Sequence, residues 1–251
     1  YSYNNNVRIH RVYCKSVSGH NKRFEIDESQ SNHLIKALRL KEESIIEVFD
    51  GNGNSASCKI INFSKKTCEV ERINNIKHDL KPKRLLTTIV PLIKKNNFNF
   101  MIQKLAEIGV NKFIIYKPDL IDQSVAKKDL KRIIKKSHEI VINVSKQCGN
   151  NHLPSIEESE SLNEAIALVE DKSDIFIFDT DASEYFIQEE INKTSSVIII
   201  TGPESGFSET EIKLKSIKNA KQRHLGQNIL RAETAPIYIS SLIKNQFGKI
   251  S

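Results

Sequence analysis

Apolar positions in the first eighty residues come in short runs separated by turn residues. "RVYCKSV", "RFEID", "SIIEVFD", "SASCKIINF" and "TCEVERI" are rich in Val, Ile, Phe and Tyr and read as strands. "DGNGN" at 50–54 joins two of them and is a hairpin signal. One helix is predicted among them over "SNHLIKALRL", with Ser31 as its cap and Leu34, Ile35 and Leu38 on one face. So many short strands in so little chain predict a small β-barrel. The polar segment "NNIKHDLKPK", residues 74–83, reads as a linker.

Beyond it the period changes. "RLLTTIV", "KFIIY", "DIFIFD" and "SVIIITG" are buried-type strands, and "RHLG" is a short one. Between them lie helical patterns. "NNFNFMIQKLAEIG" turns Phe98, Met101, Ile102 and Leu105 inward and stops at Gly109. "KKDLKRIIKKSHEIVINVSKQ" predicts a long helix with Leu130, Ile133, Ile134, Val141 and Val144 buried. "SLNEAIALVE", "SETEIKLKSI" and "AETAPIYISSLIKNQ" complete the set. Alternating strands and helices predict a mostly parallel sheet covered on both faces. The expected division is a barrel domain over 1–76 and an α/β domain over 77–251.

Composition narrows the function classes. The chain has 251 residues, enough to bury a core without staples. Cys14, Cys58, Cys68 and Cys148 form no Cys-x-x-Cys pair and read as reduced thiols. No stretch has the ~18 apolar residues of a membrane helix, and the first residues show no apolar signal segment, so a cytoplasmic protein is expected. No His/Cys/Asp cluster points to a metal. His33 and His138 are lone helical histidines with surface or satisfied roles.

The net charge of +7 is uneven: residues 81–154 carry 15 Lys/Arg against 5 Asp/Glu, whereas residues 155–251 carry 10 against 16. A basic middle is what a polyanionic partner selects, although a lysine-rich composition alone would produce it too. Within it, Lys127, Lys131 and Lys135 repeat at i, i+4, i+8, and Lys128, Arg132 and Lys136 repeat one position later. The six cations lie opposite the apolar stripe, as a phosphate-binding face or a solvated one.

In open α/β sheets ligands bind outside the carboxyl ends of strands. Two strand ends here carry glycine loops, "ITGPESGFSETE" at 200–211 and "HLGQNILRAETA" at 224–235. Neither is a P-loop or a Gly-x-Gly-x-x-Gly turn. The first also reads as a plain strand-to-helix turn, with Ser208 as N-cap and Glu211 closing a capping box. In the second, Arg231 is suited to carboxylate, phosphate or base, or to pairing with Glu233 or Glu204. Two glycine loops with an arginine between them favour a ligand pocket.

"GPESGFSETE" and "LGQNILRAETA" resemble the two loops of the SPOUT class of S-adenosylmethionine-dependent RNA methyltransferases. The likeness is greatest to the ribosomal RNA family that methylates uridine N3 in the small subunit (16S RNA). "PLIKKNNFNFMIQKLAEIGV" is similar to a strand end and helix of that family. "HRVY", "HLIKALRL" and "FDGNGN" are similar to its PUA-like barrel. The resemblance implies an N-terminal PUA-like β-barrel plus a C-terminal SPOUT α/β domain with a deep trefoil knot. It also implies a homodimer, S-adenosylmethionine as cofactor, and small-subunit RNA or the assembled 30S subunit as substrate.

Transferred by position, Thr201, Gly202, Pro203, Glu204 and Gly206 would line one side of the cofactor. Leu225, Gly226, Ile229 and Leu230 would close the other, with Arg231 and Thr234 at the transition to the last helix. Arg231 and Arg11 are the expected catalytic cations, favouring a deprotonated N3. Arg11, Arg39, Lys94, Lys128, Arg132 and Lys136 are the expected RNA contacts. The chain departs from the family pattern at Ser205, Gln123, Asn143, Val144 and Asn150. Ser205 replaces a usual glycine and fits only if its φ permits. Alternatives are a same-class methyltransferase acting on another RNA nucleotide, and a non-catalytic RNA-binding or assembly factor.

Overall fold

The chain folds into two compact units, one made of Tyr1–Lys81 with Ser145–Leu153, the other of Pro82–Val144 with Pro154–Ser251. The computed structural model describes residues 9–127, 129–169, 173–191, 196–213 and 220–249. The expected division at 76/77 therefore differs from the compact units in two ways. The first unit reaches Lys81, and it takes nine residues from the middle of the chain.

In the first unit the strands are β1 (His10–Tyr13), β2 (Arg23–Ile26), β3 (Ile45–Phe49), β4 (Asn54–Phe63), β5 (Cys68–Arg72) and β6 (Lys77–His78). They form one sheet in the order β1-β3-β4-β5-β2, with β6 on β4. Only β1 and β3 pair in parallel among these. Alternation fixes the inner face: Ile46 and Val48 of β3 and Ala56, Cys58 and Ile60 of β4 are buried, with Val12, Ile26, Leu34 and Val70. Burial pushes the Cys58 thiol up to about 12 and that of Cys68 to about 11. These cysteines fill the core as small apolar groups. All four are free, and Cys148 is exposed.

Three expectations are corrected here. The predicted helix starts earlier, as α1 (Glu28–Asn32), and continues as a π-turn over His33–Ala37. Its cap is Asp27, which accepts from the Gln30 amide at 2.9 Å, while Ser31 is buried and donates to the Ile26 carbonyl at 2.8 Å. Asp outcompetes Ser at the cap because its carboxylate also meets the positive helix end. The expected linker is partly structured: β6 lies within it, and the Asp79 amide donates to the Gly53 carbonyl at 2.8 Å.

Arg11 is the third correction. Its side chain is 9% exposed and faces Glu47 at 3.4 Å. Its guanidinium donates to the Ser145 carbonyl at 2.6 Å and to the Asn151 amide oxygen, and lies 4.5 Å over the Phe49 ring. Asn151 in turn donates to Asp79 at 2.7 Å. Arg11 is thus a buried tie between β1 and residues 145–153, with both terminal nitrogens engaged inside the unit and Nε buried beside Glu47.

The second unit is built from β7 (Leu85–Pro91), α2 (Lys95–Ile108), β8 (Lys112–Tyr116), α3 (Gln123–Ala126), α4 (Leu130–Cys148, leaving the unit after Val144), β9 (Ser155–Ser159), α5 (Leu162–Ala167), β10 (Asp174–Phe178), β11 (Ser196–Thr201), α6 (Glu209–Lys213), β12 (Lys221–Arg223) and α7 (Thr234–Lys249). Its strands form a parallel sheet in the order β12-β10-β11-β7-β8-β9. The central strands are buried on both faces, which is why they read as unbroken apolar runs. Ile89, Ile114, Tyr116, Ile175, Ile177, Ile198 and Ile200 form one buried cluster with Leu162 and Ile166 of α5. On the sheet α7 packs against β7 and β11, and it also packs on α2.

Two departures from the predicted elements have clear causes. β9, "SIEES", was not expected: it pairs on one side only and only Ser159 of its five residues is buried, so the apolar signal is weak. The helix predicted from Lys127 begins at Leu130, where Asp129 caps it by accepting from the Lys131 amide at 3.0 Å. Of its expected inward residues Val141 and Val144 are buried, whereas Leu130, Ile133 and Ile134 are half-buried.

β12 is only three residues long and needs help to stay on the sheet. Arg223 supplies it. Its Nε and Nη2 donate to Glu190 at 2.9 and 2.6 Å, and Nη1 meets Glu184 at 2.9 Å. The side chains of Arg223 and Glu190 are 13% and 15% exposed. Burial works to raise the Glu190 pKa, but hydrogen bonds from Arg223 and the Ile187 amide outweigh it, and the carboxyl is held below its usual 4.5. A depressed acid stabilises the fold above its unfolded pKa and loses that contribution as pH falls through its folded value. Glu190→Gln should therefore lower unfolding free energy near neutrality by about 2 to 3 kcal/mol, allowing for partial exposure. In denaturant titrations the gap between wild type and variant should close as pH drops below 4.5.

Candidate functional site

Three neighbouring strands end level. Phe178, the last residue of β10, stands opposite Thr201, the last of β11, and opposite Arg223, the last of β12. The three loops that follow leave the same edge of the sheet together. They enclose a cavity of about 510 Å³.

The first wall follows β11. Pro203 has no amide hydrogen to offer a ladder, and the chain turns, closed by the Gly206 amide donating to the Pro203 carbonyl at 3.0 Å. Gly206 takes the left-handed conformation, φ 75°. At Gly202 the reason for glycine is contact: a Cβ there would lie 3.2 Å from the Phe207 ring, which folds back over it. The loop ends in the capping box foreseen from sequence, the Glu211 amide donating to Ser208 Oγ at 3.1 Å and the Ser208 amide to Glu211 at 2.8 Å. Ser205 is not among the residues of positive φ, so serine is tolerated there, and its hydroxyl donates to the Leu120 carbonyl at 2.6 Å.

The second wall runs from His224 to Ala232. The Gly226 amide donates to His224 Nδ1 at 3.1 Å, which leaves the proton of the neutral ring on Nε2. Gly226 has φ 112°, a conformation costly for any other residue. α7 then starts with the Thr234 and Ala235 amides on the Arg231 carbonyl, at 2.9 and 3.0 Å. The third wall is Phe178, Asp179 and Thr180. Phe178 is held edge-on by Phe186, with ring centroids 5.3 Å apart.

The floor is Thr201, 2% exposed. Its carbonyl accepts from the Tyr116 hydroxyl at 3.0 Å. Its own hydroxyl is buried with no partner among the described residues. Burial, and then the charges of Glu211 and Asp119, raise the Tyr116 pKa well above its usual value, so the ring stays a donor. Arg231 stands at the rim with its side chain 79% exposed, and its contact with Glu233, at 3.8 Å, is long. Glu204 is also exposed.

The residues singled out from sequence separate cleanly. Thr201, Gly202, Pro203, Glu204 and Gly206 line one side of this cavity. Leu225, Gly226, Ile229, Leu230 and Arg231 line the other. Thr234 does not: it is exposed on the first turn of α7, and Ala235 faces the cavity instead. Arg11 is not among the lining residues and is buried as described. Arg39 is exposed in the first unit with φ 51°. Lys94 meets Asp122 at 3.5 Å, and Lys136 meets Glu139 at 2.9 Å. Arg132 is exposed on α4, and Lys128 lies outside the described residues.

Sequence reasoning missed Phe178, Asp179, Thr180, Phe207 and His224. The signal for the first three was present: "DIFIFD" is also a parallel strand with a carboxyl end. It carries no glycine, and strand order is what places it between the other two. No group of three or more His, Cys, Asp or Glu suited to a metal occurs among the described residues. Nor, among them, is any helix long and apolar enough to cross a membrane.

Comparison with known proteins agrees with this layout. A family profile described as an RNA methyltransferase domain matches residues 80–244, and one described as an RNA methyltransferase PUA domain matches residues 26–71. A Bacillus subtilis protein named ribosomal RNA small subunit methyltransferase E is 27% identical over 235 residues, covering 89% of this chain and 90% of its own. Its namesake from Buchnera aphidicola of Schizaphis graminum is 28% identical over 252 residues, covering 97% and 99%. The Neisseria gonorrhoeae protein of that name, solved with S-adenosylmethionine bound, superposes with a TM-score of 0.81 at 22% identity, covering 94% and 97%. That last likeness is one of fold.

Tyr116→Phe should leave the Thr201 carbonyl buried without its donor and cost about 1 to 3 kcal/mol. Equilibrium unfolding measures the loss; an unchanged stability would mean the hydrogen bond contributes nothing to holding the floor.

Proposed function

The chain belongs to the RNA methyltransferase family, and we propose that it transfers a methyl group from S-adenosylmethionine to uridine N3 in small-subunit ribosomal RNA. The observation that carries this reading is the single cavity shared by residues 201–207 and 224–232. The names of the relatives support the class of RNA; the position on the base rests on the resemblance of "GQNILRAETA". The trefoil knot and the closed barrel belong to the same reading.

The lining fits the cofactor. Leu225, Leu230 and Ala232 offer an apolar wall for a flat ring. The unpaired Thr201 hydroxyl offers a buried polar partner. Asp179 and Glu204 place carboxylates at the cavity, which suits a cationic group. When bound, S-adenosylmethionine supplies an electrophilic methyl carbon on sulfur. The chain's own residues do the rest. The two glycine loops fix direction, and alignment of the attacking nitrogen with that carbon supplies most of the rate. Uracil N3 must lose its proton and leave its stack to react. Arg231, always charged and weakly held, favours the anionic base electrostatically. Arg11 is given no such role, because its side chain is buried and both terminal nitrogens are engaged.

A second copy of the chain is part of the proposal. Phe100 on α2 and Tyr238 on α7 are 49% and 40% exposed, on two helices that pack together. A homodimer would cover such positions.

Arg231→Ala should reduce methylation of unmodified small-subunit RNA at least a hundredfold while leaving S-adenosylmethionine affinity within tenfold. Calorimetry and mass mapping of the RNA measure the two. Full activity in the variant would refute the role, and methyl found on another atom or nucleotide would replace the target.

A further inference from the structure

Along the same edge of the second unit's sheet lies a larger groove, about 800 Å³, that the cavity does not include. Leu92 and Ile93, the residues just after β7, and Phe98 of α2 give it an apolar base. Its rim is cationic. Lys95, Lys127, Arg132 and Lys135 line it, are exposed, and make no ion pair with any of the described residues. Lys136 also lines it but is paired to Glu139. The facing acids are Asp129, which caps α4, and that same Glu139.

The helices around the groove add to the imbalance. α2 begins at Lys95 after Lys94, with no side-chain cap and no acid in its first turn. α4 has no acid in its first turn either. Cations beside positive helix ends repel one another in the free protein, and an anion relieves them.

We propose that this groove holds the unpaired RNA strand flanking the target nucleotide. Its phosphates meet Lys95, Lys127, Arg132 and Lys135, and its ribose and base faces lie on the apolar base. That division, charge at the rim and apolar surface below, is the one single-stranded RNA requires. Position favours it as well. β7 pairs with β11, so the groove starts one strand from the end that feeds residues 202–207, about 4.8 Å away at sheet spacing. A strand anchored there presents its next base towards the cofactor cavity. The inference rests on the methyltransferase reading above and adds the path of the substrate to it.

The test replaces Lys95, Lys127, Arg132 and Lys135 together by Ala, all at exposed positions. Binding of unmodified small-subunit RNA is followed across a salt series, with S-adenosylmethionine titration and sedimentation alongside. The slope of log affinity against log salt should flatten by about 2 to 3, at roughly 0.7 per phosphate contact on a single strand. The KM for RNA should rise at least tenfold, with cofactor affinity unchanged. A variant with Lys95, Lys127 and Lys135 as Arg should keep the wild-type slope. An unchanged slope and KM would overturn the proposal. So would a change of oligomeric state with RNA binding intact, which would give the groove to a second copy of the chain. Failure of the wild type to bind S-adenosylmethionine would remove the methyltransferase reading instead, and the salt slopes would still decide the groove.

Discussion

The site depends on register. Because β10, β11 and β12 run parallel and end at Phe178, Thr201 and Arg223 on one line, three loops leave together and converge on one volume. Parallel pairing buries both faces, so the strands must be apolar throughout and polar chemistry is confined to their ends. A one-residue slip of β12 would turn Arg223 away from Glu190 and carry residues 224–232 off the cavity. The ion pair is thus less a source of net stability than a device that fixes one arrangement of a three-residue strand.

From that constraint the chemistry follows. The cavity has a rigid floor, with Tyr116 holding the Thr201 carbonyl from the next-but-one strand. Two of its walls turn on glycines of positive φ, Gly206 and Gly226, and the third is Phe178, Asp179 and Thr180. Arg231 stands at its rim, 79% exposed and held only by a long contact with Glu233, where it can meet a substrate. Such a division suits a methyl transfer in which positioning dominates and the protein need supply no covalent step. The proposed RNA groove extends the logic: the sheet edge that gathers the cofactor loops also gathers the uncompensated cations.

Much of this was legible in sequence. The first unit's long strands and the central strands of the second announced themselves by composition, and the Ser208–Glu211 capping box was readable as a motif. Both glycine loops were found because glycine marks turns irrespective of what surrounds them. What was not legible has a common cause: it depends on partners far along the chain. Asp179 and Thr180 join the site through strand order. Arg11 read as a free cation because nothing nearby in sequence reveals Ser145 and Asn151 as its acceptors. β9 was hidden because an edge strand buries few side chains. The even-looking lysine face of α4 resolves into unlike members, Lys136 paired and Arg132 and Lys135 without an ion pair among the described residues, only when Glu139 and the groove are in place.

The most direct test of the central claim is amide hydrogen exchange with and without S-adenosylmethionine. If the three loops enclose one cofactor, residues 179–180, 202–207 and 224–231 should all slow on its addition, in the same concentration range. Protection confined to one loop, or appearing only elsewhere in the chain, would contradict a shared site.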